Sequence, residues 1–236
     1  MTQRPGLASA VAAALLVGCG PTIDPAAKAD IDARIAKLRA QTITIPAPGP
    51  EATESMPPAV GQWAEYKLTL DNGQFKFLTQ KIVGEEGGAL LVEKVHDTYQ
   101  GRSVEQLLVA IGDGWDPKKV ELRSVKVKNE KGYLTTLSRT DLWIARNRMG
   151  PASSYWDDAL SVSLLNNWRG APQASIAVIA GRFEGCYHYH TPARGPMPGK
   201  VWSHPSVPLG GLVRLQENGF VSELVAYGTS GARSDF

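Results

Sequence analysis

Four side chains that commonly bind metal ions lie close together near the C-terminal end of the sequence. Cys186, His188 and His190 alternate, so a strand through this segment would place all three on one face. A thiolate and two imidazoles are good ligands for zinc or copper, and His204, one predicted strand later, could supply the fourth. Alternating His and Tyr residues also suit an ordinary β-surface. The sequence therefore leaves two alternatives, a metal site and a purely structural strand.

The sequence lacks the motifs that carry common enzyme chemistry. It contains no P-loop, no dinucleotide fingerprint, no HExxH and no CxxC. Gly-Thr-Ser-Gly at residues 228–231 lacks the spacing of a nucleophile elbow. Asp113 and Asp116 share a turn but lack the further oxygen ligands of a calcium loop. We therefore predict that the protein is not an enzyme and needs no cofactor.

The composition excludes further classes of protein. The chain has 236 residues, with 25 Lys and Arg against 23 Asp and Glu, and 43% of its residues are hydrophobic. This near-neutral balance gives no electrostatic reason to expect nucleic-acid binding. The chain has no apolar run long enough to predict a transmembrane helix. Its apolar content is sufficient for one large domain or two small ones.

The N-terminal residues have the build of a secretory signal peptide. Arg4 precedes an apolar stretch over residues 7–17, which is too short to span a membrane. The stretch ends in Leu-Val-Gly-Cys at residues 16–19, which resembles the bacterial lipobox. The resemblance implies removal of residues 1–18, a diacylglycerol on the thiol of Cys19 and acylation of the new amino terminus. Because no Asp follows Cys19, the same resemblance favours the outer membrane, with the protein facing the periplasm.

Residues 19–60 are predicted to link the anchor to a folded body. Asp24 and Pro25 suit a helix start, and Ile31, Ile35 and Leu38 follow at helical spacing, which predicts a helix over residues 25–41. This narrow apolar stripe either docks on the body or pairs with another helix. Five prolines between residues 46 and 58 predict an extended spacer. We expect this spacer to set the body away from the membrane.

Residues 61–236 predict a β-rich domain. Asp-Asn-Gly at 71–73 and Glu-Asn-Gly at 217–219 are hairpin turn signals, and the apolar phase of residues 119–128 slips, which indicates a β-bulge. Residues 134–168 have nearer to helical spacing and predict one or two short helices. The β-pattern then returns, first as a strand over residues 175–190. This order favours one α+β domain, and two small domains divided near residue 150 are the alternative.

Three C-terminal segments carry a family resemblance. Residues 183–187, 200–213 and 223–228 resemble the closing strands of the LolA/LolB-like superfamily of periplasmic lipoprotein carriers. The resemblance implies a curved antiparallel sheet, an incomplete β-barrel around a hydrophobic cavity, with short helices over its open face. The candidate lining residues are Trp63, Phe75, Phe77, Trp143, Trp156, Leu160, Leu164, Trp168 and Trp202. The alternative is that these side chains are ordinary members of a filled core.

Two functions follow from these observations. The first is a membrane-anchored, noncatalytic lipoprotein of the bacterial envelope that binds an acyl chain in its half-barrel. The second is a structural or assembly lipoprotein that acts through contacts with an envelope protein. Residues 118–148 carry nine basic and three acidic side chains, so this segment either faces anionic lipid or lipopolysaccharide, or forms a solvated face.

Overall fold

The computed structural model describes residues 25–39, 43–98, 100–111, 120–137, 140, 168–190, 199–217 and 219–236. Within these ranges the chain forms helix α1 and twelve strands, and the strands belong to one curved, open sheet. The predicted α+β fold with an incomplete barrel is therefore confirmed. Of residues 134–168, which are predicted to form one or two short helices, only 134–137, 140 and 168 are described, and residues 134–137 form a strand.

The helix and the strands follow one another along the chain. Helix α1 spans Pro25–Arg39, and the strands are β1 Thr44–Ile45, β2 Trp63–Leu70, β3 Phe75–Glu86, β4 Ala89–Thr98, β5 Gly101–Ile111, β6 Val120–Lys128, β7 Leu134–Leu137, β8 Gln173–Val178, β9 Gly181–His190, β10 Lys200–Ser203, β11 Leu212–Glu217 and β12 Phe220–Gly228. Their order in the sheet is β1-β9-β10-β11-β12-β2-β3-β4-β5-β6-β7, and β8 pairs with β9 outside this path. All described pairs are antiparallel except β1 with β9.

Strands from both halves of the chain are neighbours in the sheet. Strand β12 pairs with β2 over its whole length, from Phe220 opposite Leu70 to Gly228 opposite Trp63. A division into two domains near residue 150 is therefore wrong, because it would cut a continuous ladder of backbone hydrogen bonds.

Local turn and bulge signals are found where the sequence predicts them, with one exception. Gly73 closes the β2–β3 turn with a φ of 80°, which glycine adopts readily. Strand β6 has its bulge at Arg123. Leu108 of β5 pairs with Ser124 and Val109 pairs with Leu122, so Arg123 is the extra residue between the two pairs. The predicted single strand over residues 175–190 is wrong. It is a hairpin of β8 and β9 that turns after Val178.

Alternating side chains of β2 to β6 define two faces of the sheet. The inner face carries the main hydrophobic core, which continues across the sheet to β9. Its most deeply buried members include Ala64, Ile82, Val109, Phe183, Val201, Val213 and Leu224. The outer face carries the intervening side chains, among them Phe77, Glu65 and Glu93, which are also buried.

Helix α1 docks on the outer face. Ile31 and Ile35 are each 8% exposed and pack in a second core cluster with Phe77, Ile179 and Val225. Docking on the body is therefore the correct one of the two alternatives left open for the apolar stripe of this helix.

An ion pair fixes the position of the helix on the sheet. The guanidinium of Arg34 pairs with the buried carboxylate of Glu65 and lies 5.4 Å from the ring centroid of Phe77. Burial raises the pKa of Glu65, and the charge of Arg34 opposes that rise.

Residues 43–60, which we call the strap, lie along the body. Strand β1 adds to the edge of β9, with Thr44 opposite Arg182 and Ile45 opposite Phe183. Further along, the carbonyl of Ala52 accepts a hydrogen bond from the hydroxyl of Tyr187 at 3.2 Å. Strand β9 therefore holds the strap at its start and near its middle.

The expectation of a spacer that separates the body from the membrane is wrong for the strap. Proline has no N–H to donate, and donors on the body bind several carbonyl groups of the strap, those of Pro46, Ala52 and Thr53. The strap also fits closely: a Cβ atom at Gly185 would lie 2.8 Å from the Cβ atom of Ala47. The N-terminal segment is therefore part of the folded domain from α1 onward.

Candidate ligand-binding face

The inner face of strands β3 to β6 begins with an apolar row. Ile82, Val92, Leu107 and Val125 lie opposite one another on the four neighbouring strands. All four are buried, at 0–4% exposure. This row belongs to the main core and is covered by its other members.

A polar row lies two residues further along the same strands. Gln80, Lys94 and Glu105 are opposite one another, and Gln80 and Lys94 are only 8% and 6% exposed. Two residues along a strand correspond to about 7 Å, so the apolar and polar rows are adjacent. Burial of an amide, an ammonium group and a carboxylate beside a hydrophobic core is costly, and it is common where such groups recognise a ligand.

His96 extends the polar row by one more step along β4. Its Nε2 atom is buried and lies 3.9 Å from Oε1 of Glu105, which is beyond hydrogen-bonding distance, and no other partner is described for it. Burial lowers the pKa of His96, Glu105 opposes this effect, and the positive charges of Lys76 and Lys94 reinforce it. The imidazole is therefore neutral near pH 7 and has one ring nitrogen available for a ligand.

Tyr66 closes the inner face on the side of β2. Its hydroxyl donates a hydrogen bond to the carbonyl of Leu212 at 3.3 Å, and burial raises its pKa. The phenol is therefore uncharged, and its hydroxyl is bonded within the fold.

Three of the predicted lining residues do not lie on the inner face. Phe75 and Phe77 pack on the outer face, in the cluster that helix α1 covers, with ring centroids 6.1 Å apart. Trp63 is on the same face and donates from Nε1 to the carbonyl of Ser230 at 3.2 Å. The prediction that these three residues line a cavity is therefore wrong. Because side chains alternate along a strand, these three residues share one face. That face is the outer one, part of which α1 covers, and not the inner face on which a cavity was expected.

Two more predicted lining residues lie near β9. Trp168 is 3% exposed, stacks on Tyr187 with ring centroids 5.3 Å apart and donates its backbone N–H to the strap carbonyl of Thr53 at 2.7 Å. Trp202 is partly buried and stacks on His188 at 4.7 Å. Both rings are thus occupied by aromatic neighbours. The remaining candidates Trp143, Trp156, Leu160 and Leu164 lie outside the described residues, as does Cys19.

The structure does not assemble the predicted metal site. Within the described ranges, no three His, Cys, Asp or Glu side chains are placed to hold a metal ion. Cys186 is fully buried in the main core, and burial raises the pKa of its thiol to about 12, with a smaller contribution from Glu184. His188 and His190 lie beside each other, with ring centroids 5.4 Å apart. Cys186 therefore acts as a small core residue.

His204, the fourth predicted ligand, holds the strap. Its Nδ1 atom accepts the N–H of Ser206 at 3.2 Å, so Nε2 carries the proton and donates to the carbonyl of Pro46 at 3.1 Å. Burial lowers its pKa, and the bond to Pro46 opposes this effect. Both ring nitrogens are thus used in folding.

A charged network on the outer face was not predicted from the sequence. Glu93 is fully buried and accepts hydrogen bonds from Gln106 at 2.9 Å, from the hydroxyl of Ser234 and from the backbone N–H of Asp235 at 2.9 Å. Lys81 lies 3.3 Å from this carboxylate and 2.6 Å from that of Asp235. The network fastens residues 233–236 across β3, β4 and β5.

A signal for both buried polar groups is present in β4. In this strand a charged residue stands between apolar ones on both faces: Glu93 follows Leu91 on the outer face, and Lys94 follows Val92 on the inner face. A strand with one solvated side would collect its charges on that side. The pattern therefore indicates burial on both faces, although it does not say what covers them.

Comparisons with known proteins give one distant similarity. No protein-family model and no curated protein matches the chain. Among solved structures, the chain is similar to one from Parabacteroides distasonis ATCC 8503, described as a putative lipoprotein, with 12% sequence identity and a TM-score of 0.26. The match covers 73% of this chain and 97% of that one. A likeness at this level assigns no function to either chain.

In the part of the chain that the structure describes, no helix is both long and apolar enough to cross a membrane.

Proposed function

We propose that the protein is a lipid-anchored, noncatalytic lipoprotein of the bacterial envelope that binds an acyl-chain ligand on the inner face of its curved sheet. The observation that carries this proposal is the pair of buried rows on β3 to β5, one apolar and one polar. Gln80, Lys94 and Glu105 lie side by side next to the apolar row, and polar groups beside apolar ones are a common feature of ligand sites. A ligand with an apolar chain and a polar end matches both rows at once.

The energetics favour an acyl chain as the apolar part of the ligand. Each methylene group that a ligand buries against apolar side chains contributes about 0.8 kcal/mol, so a chain of moderate length could bind strongly. The residues of the apolar row are held rigidly by backbone pairing on both sides. Little conformational freedom is therefore lost by the protein when the chain binds.

The location of such a binding site is set by the proposed anchor. Helix α1 begins at Pro25, six positions after Cys19, and is docked on the sheet. An acylated Cys19 would therefore hold the body close to the membrane surface, which is proposed to be the periplasmic face of the outer membrane. A ligand exchanged with that membrane would have only a short distance to travel.

Replacement of Cys19 tests the anchor. We expect Cys19→Ser to abolish the incorporation of a labelled fatty acid in a bacterial host and to release the protein from the membrane fraction, because serine has no thiol for the thioether. Cys186→Ala is the matched control, since Cys186 is buried, and its labelling should equal that of the unmodified protein. Persistent labelling of Cys19→Ser would exclude Cys19 as the site of lipidation.

Methyl NMR tests the ligand-binding face. Addition of a saturated fatty acid to the folded protein should shift the methyl resonances of Val92 and Leu107 on the inner face. Val95 and Val104 are matched controls, because they lie on the same two strands, are equally buried at 3% exposure and face outward. Equal shifts on both faces, or none with any acyl ligand, would contradict the proposal.

A structural or assembly lipoprotein is the second candidate function. The β6–β7 hairpin exposes Tyr133 and Leu134 at 69% and 61%. Exposed apolar side chains at a hairpin tip suit a contact with an envelope protein. If no acyl ligand binds to the inner face, this second function becomes the better candidate of the two.

A further inference from the structure

The hairpin of β6 and β7 carries exposed apolar side chains at its closed end. We call residues 126–134, which form this end, the tip. Tyr133 and Leu134 of the tip are 69% and 61% exposed, the two highest values among the large apolar side chains of the described residues. Strand β7 is the last in the order of the sheet, so the tip lies at an edge of the fold. Adjacent apolar side chains that stay in water at such an edge indicate an interaction surface.

The turn within the tip satisfies its own backbone groups. The Oδ1 atom of Asn129 accepts the N–H groups of Lys131 and Tyr133, both at 3.0 Å. The carbonyl of Asn129 accepts the N–H of Gly132 at 2.8 Å, and the N–H of Asn129 donates to the carbonyl of Tyr133 at 3.1 Å. Unsatisfied backbone groups oppose transfer from water into an apolar medium. Because these groups are bonded within the turn, the tip can leave water at a low cost.

Basic side chains surround the apolar pair. Lys126 and Lys131 are exposed, and neither takes part in an ion pair with a described residue. Lys128 is half-buried. The acidic residue of the tip, Glu130, lies against the start of β5, where a Cβ atom at Gly101 would be 3.4 Å from the Cβ atom of Glu130. The tip therefore combines an apolar end with a net positive charge.

We propose that the tip docks on an anionic phospholipid surface. Its two apolar side chains enter the interfacial layer, and its exposed lysines contact phosphate groups. Tyrosine is enriched at membrane–water interfaces, because its ring is apolar and its hydroxyl is polar. Each lysine near an anionic membrane surface strengthens binding about fivefold. This contact is independent of any ligand on the inner face and, together with the proposed anchor at Cys19, would fix the orientation of the body on the membrane.

The size and composition of the tip favour a lipid surface over a protein partner. A stable protein interface uses about 20–30 residues from each partner and is depleted in lysine. The tip offers two apolar side chains, followed along β7 by the exposed Thr135 and Thr136. A lipid surface requires no such large complementary area, and it interacts favourably with lysines that remain mobile.

A fluorescent label at Thr135 tests the proposal. Thr135→Cys places a thiol beside the tip, and in a Cys19→Ser background it is the reactive one, because Cys186 is buried and its thiol has a pKa of about 12. The full-length protein, carrying an environment-sensitive dye, is mixed with vesicles of phosphatidylcholine with or without phosphatidylglycerol. We expect the emission to shift to shorter wavelength only with phosphatidylglycerol. About 1 M salt, where the screening length falls to about 3 Å, should reverse the shift.

Two matched controls separate the tip from the rest of the surface. Val60 is 50% exposed and precedes β2, at the opposite end of the antiparallel strands from the tip. The same dye at Val60→Cys should show no shift with either vesicle. Lys126→Glu combined with Lys131→Glu should abolish the shift at the tip. Lys200→Glu, which reverses an exposed charge at the start of β10, should leave that shift unchanged.

The outcomes distinguish the possible uses of the tip. A shift of equal size with and without phosphatidylglycerol would overturn the assignment to an anionic surface. A label that stays in water with both vesicles would overturn lipid docking and leave contact with an envelope protein as the use of the tip. The methyl shifts of the inner face test acyl-chain binding separately, so failure of one proposal is distinguishable from failure of the other.

Discussion

Replacing Glu93 with alanine is expected to lower the free energy of unfolding by about 3–5 kcal/mol. The carboxylate is fully buried and accepts hydrogen bonds from three groups, two of them in the C-terminal segment. Its removal leaves these donors without an acceptor and leaves Lys81 with one fewer counterion. Because Lys81 keeps its contact with Asp235 at 2.6 Å, we expect the lower part of this range.

Chemical denaturation measures this loss, and a surface carboxylate supplies the control. Glu121 is 61% exposed and pairs with Arg123 at 3.6 Å, so Glu121→Ala should change stability by less than about 1 kcal/mol. Combining Glu93→Ala with Lys81→Met should recover part of the lost stability, since the second change removes the ammonium group that has lost one of its two carboxylate partners. A loss below about 1 kcal/mol for Glu93→Ala would show that residues 233–236 are not fastened by this network.

A single methyl group at Gly181 is expected to detach the start of the strap. Gly181 has a φ of 134°, and a Cβ atom there would lie 2.4 Å from the carbonyl oxygen of Ile43. That oxygen accepts the N–H of Arg182 at 2.8 Å, so neither atom can move without breaking the pairing of β1 with β9. We expect Gly181→Ala to cost about 1–3 kcal/mol in backbone strain and a similar amount from the collision.

Gly101→Ala separates the two contributions. Its φ of 131° nearly equals that of Gly181, while the nearest atom to its Cβ position is a side-chain atom of Glu130 at an ordinary 3.4 Å. Only Gly181→Ala should increase cleavage by proteases within residues 43–60. Equal stability losses and equal cleavage for the two variants would contradict the close fit of the strap.

The sequence predicts those elements whose signals are local. Ile31 and Ile35 at helical spacing specify α1, Gly73 specifies a tight turn, and the phase slip in β6 specifies a bulge at Arg123. Each of these features depends on residues that are neighbours along the chain. They can therefore be recognised without knowledge of the tertiary structure.

Features that depend on distant partners could not be predicted in this way. The β8–β9 turn at Ile179 and Ala180 lacks the usual turn residues, and Ala180 is held there by the carbonyl of Leu224 at 3.0 Å. The strap fails as a spacer because its carbonyl groups find donors on residues far along the chain. Strand alternation also groups Phe75 with Phe77 but does not indicate which face a helix covers.

The candidate site was missed for a related reason. Lys94 and Glu105 are adjacent only through the register of β4 and β5, and neither residue belongs to a recognised motif. Sequence analysis instead favoured aromatic residues as ligand contacts. Register between strands, which local sequence specifies poorly, is what brings the polar row together.

The N-terminal arm, α1 together with the strap, rests on the strands that are synthesised last. Ile31 and Ile35 pack on Val225 of β12, and strand β1 pairs with β9. Contacts between such distant parts of a chain form slowly, because a very long loop must close first. A chain that ends before β12 would therefore leave the apolar stripe of α1 covered only by Phe77 and Ile179, and full burial of that stripe requires the last strand.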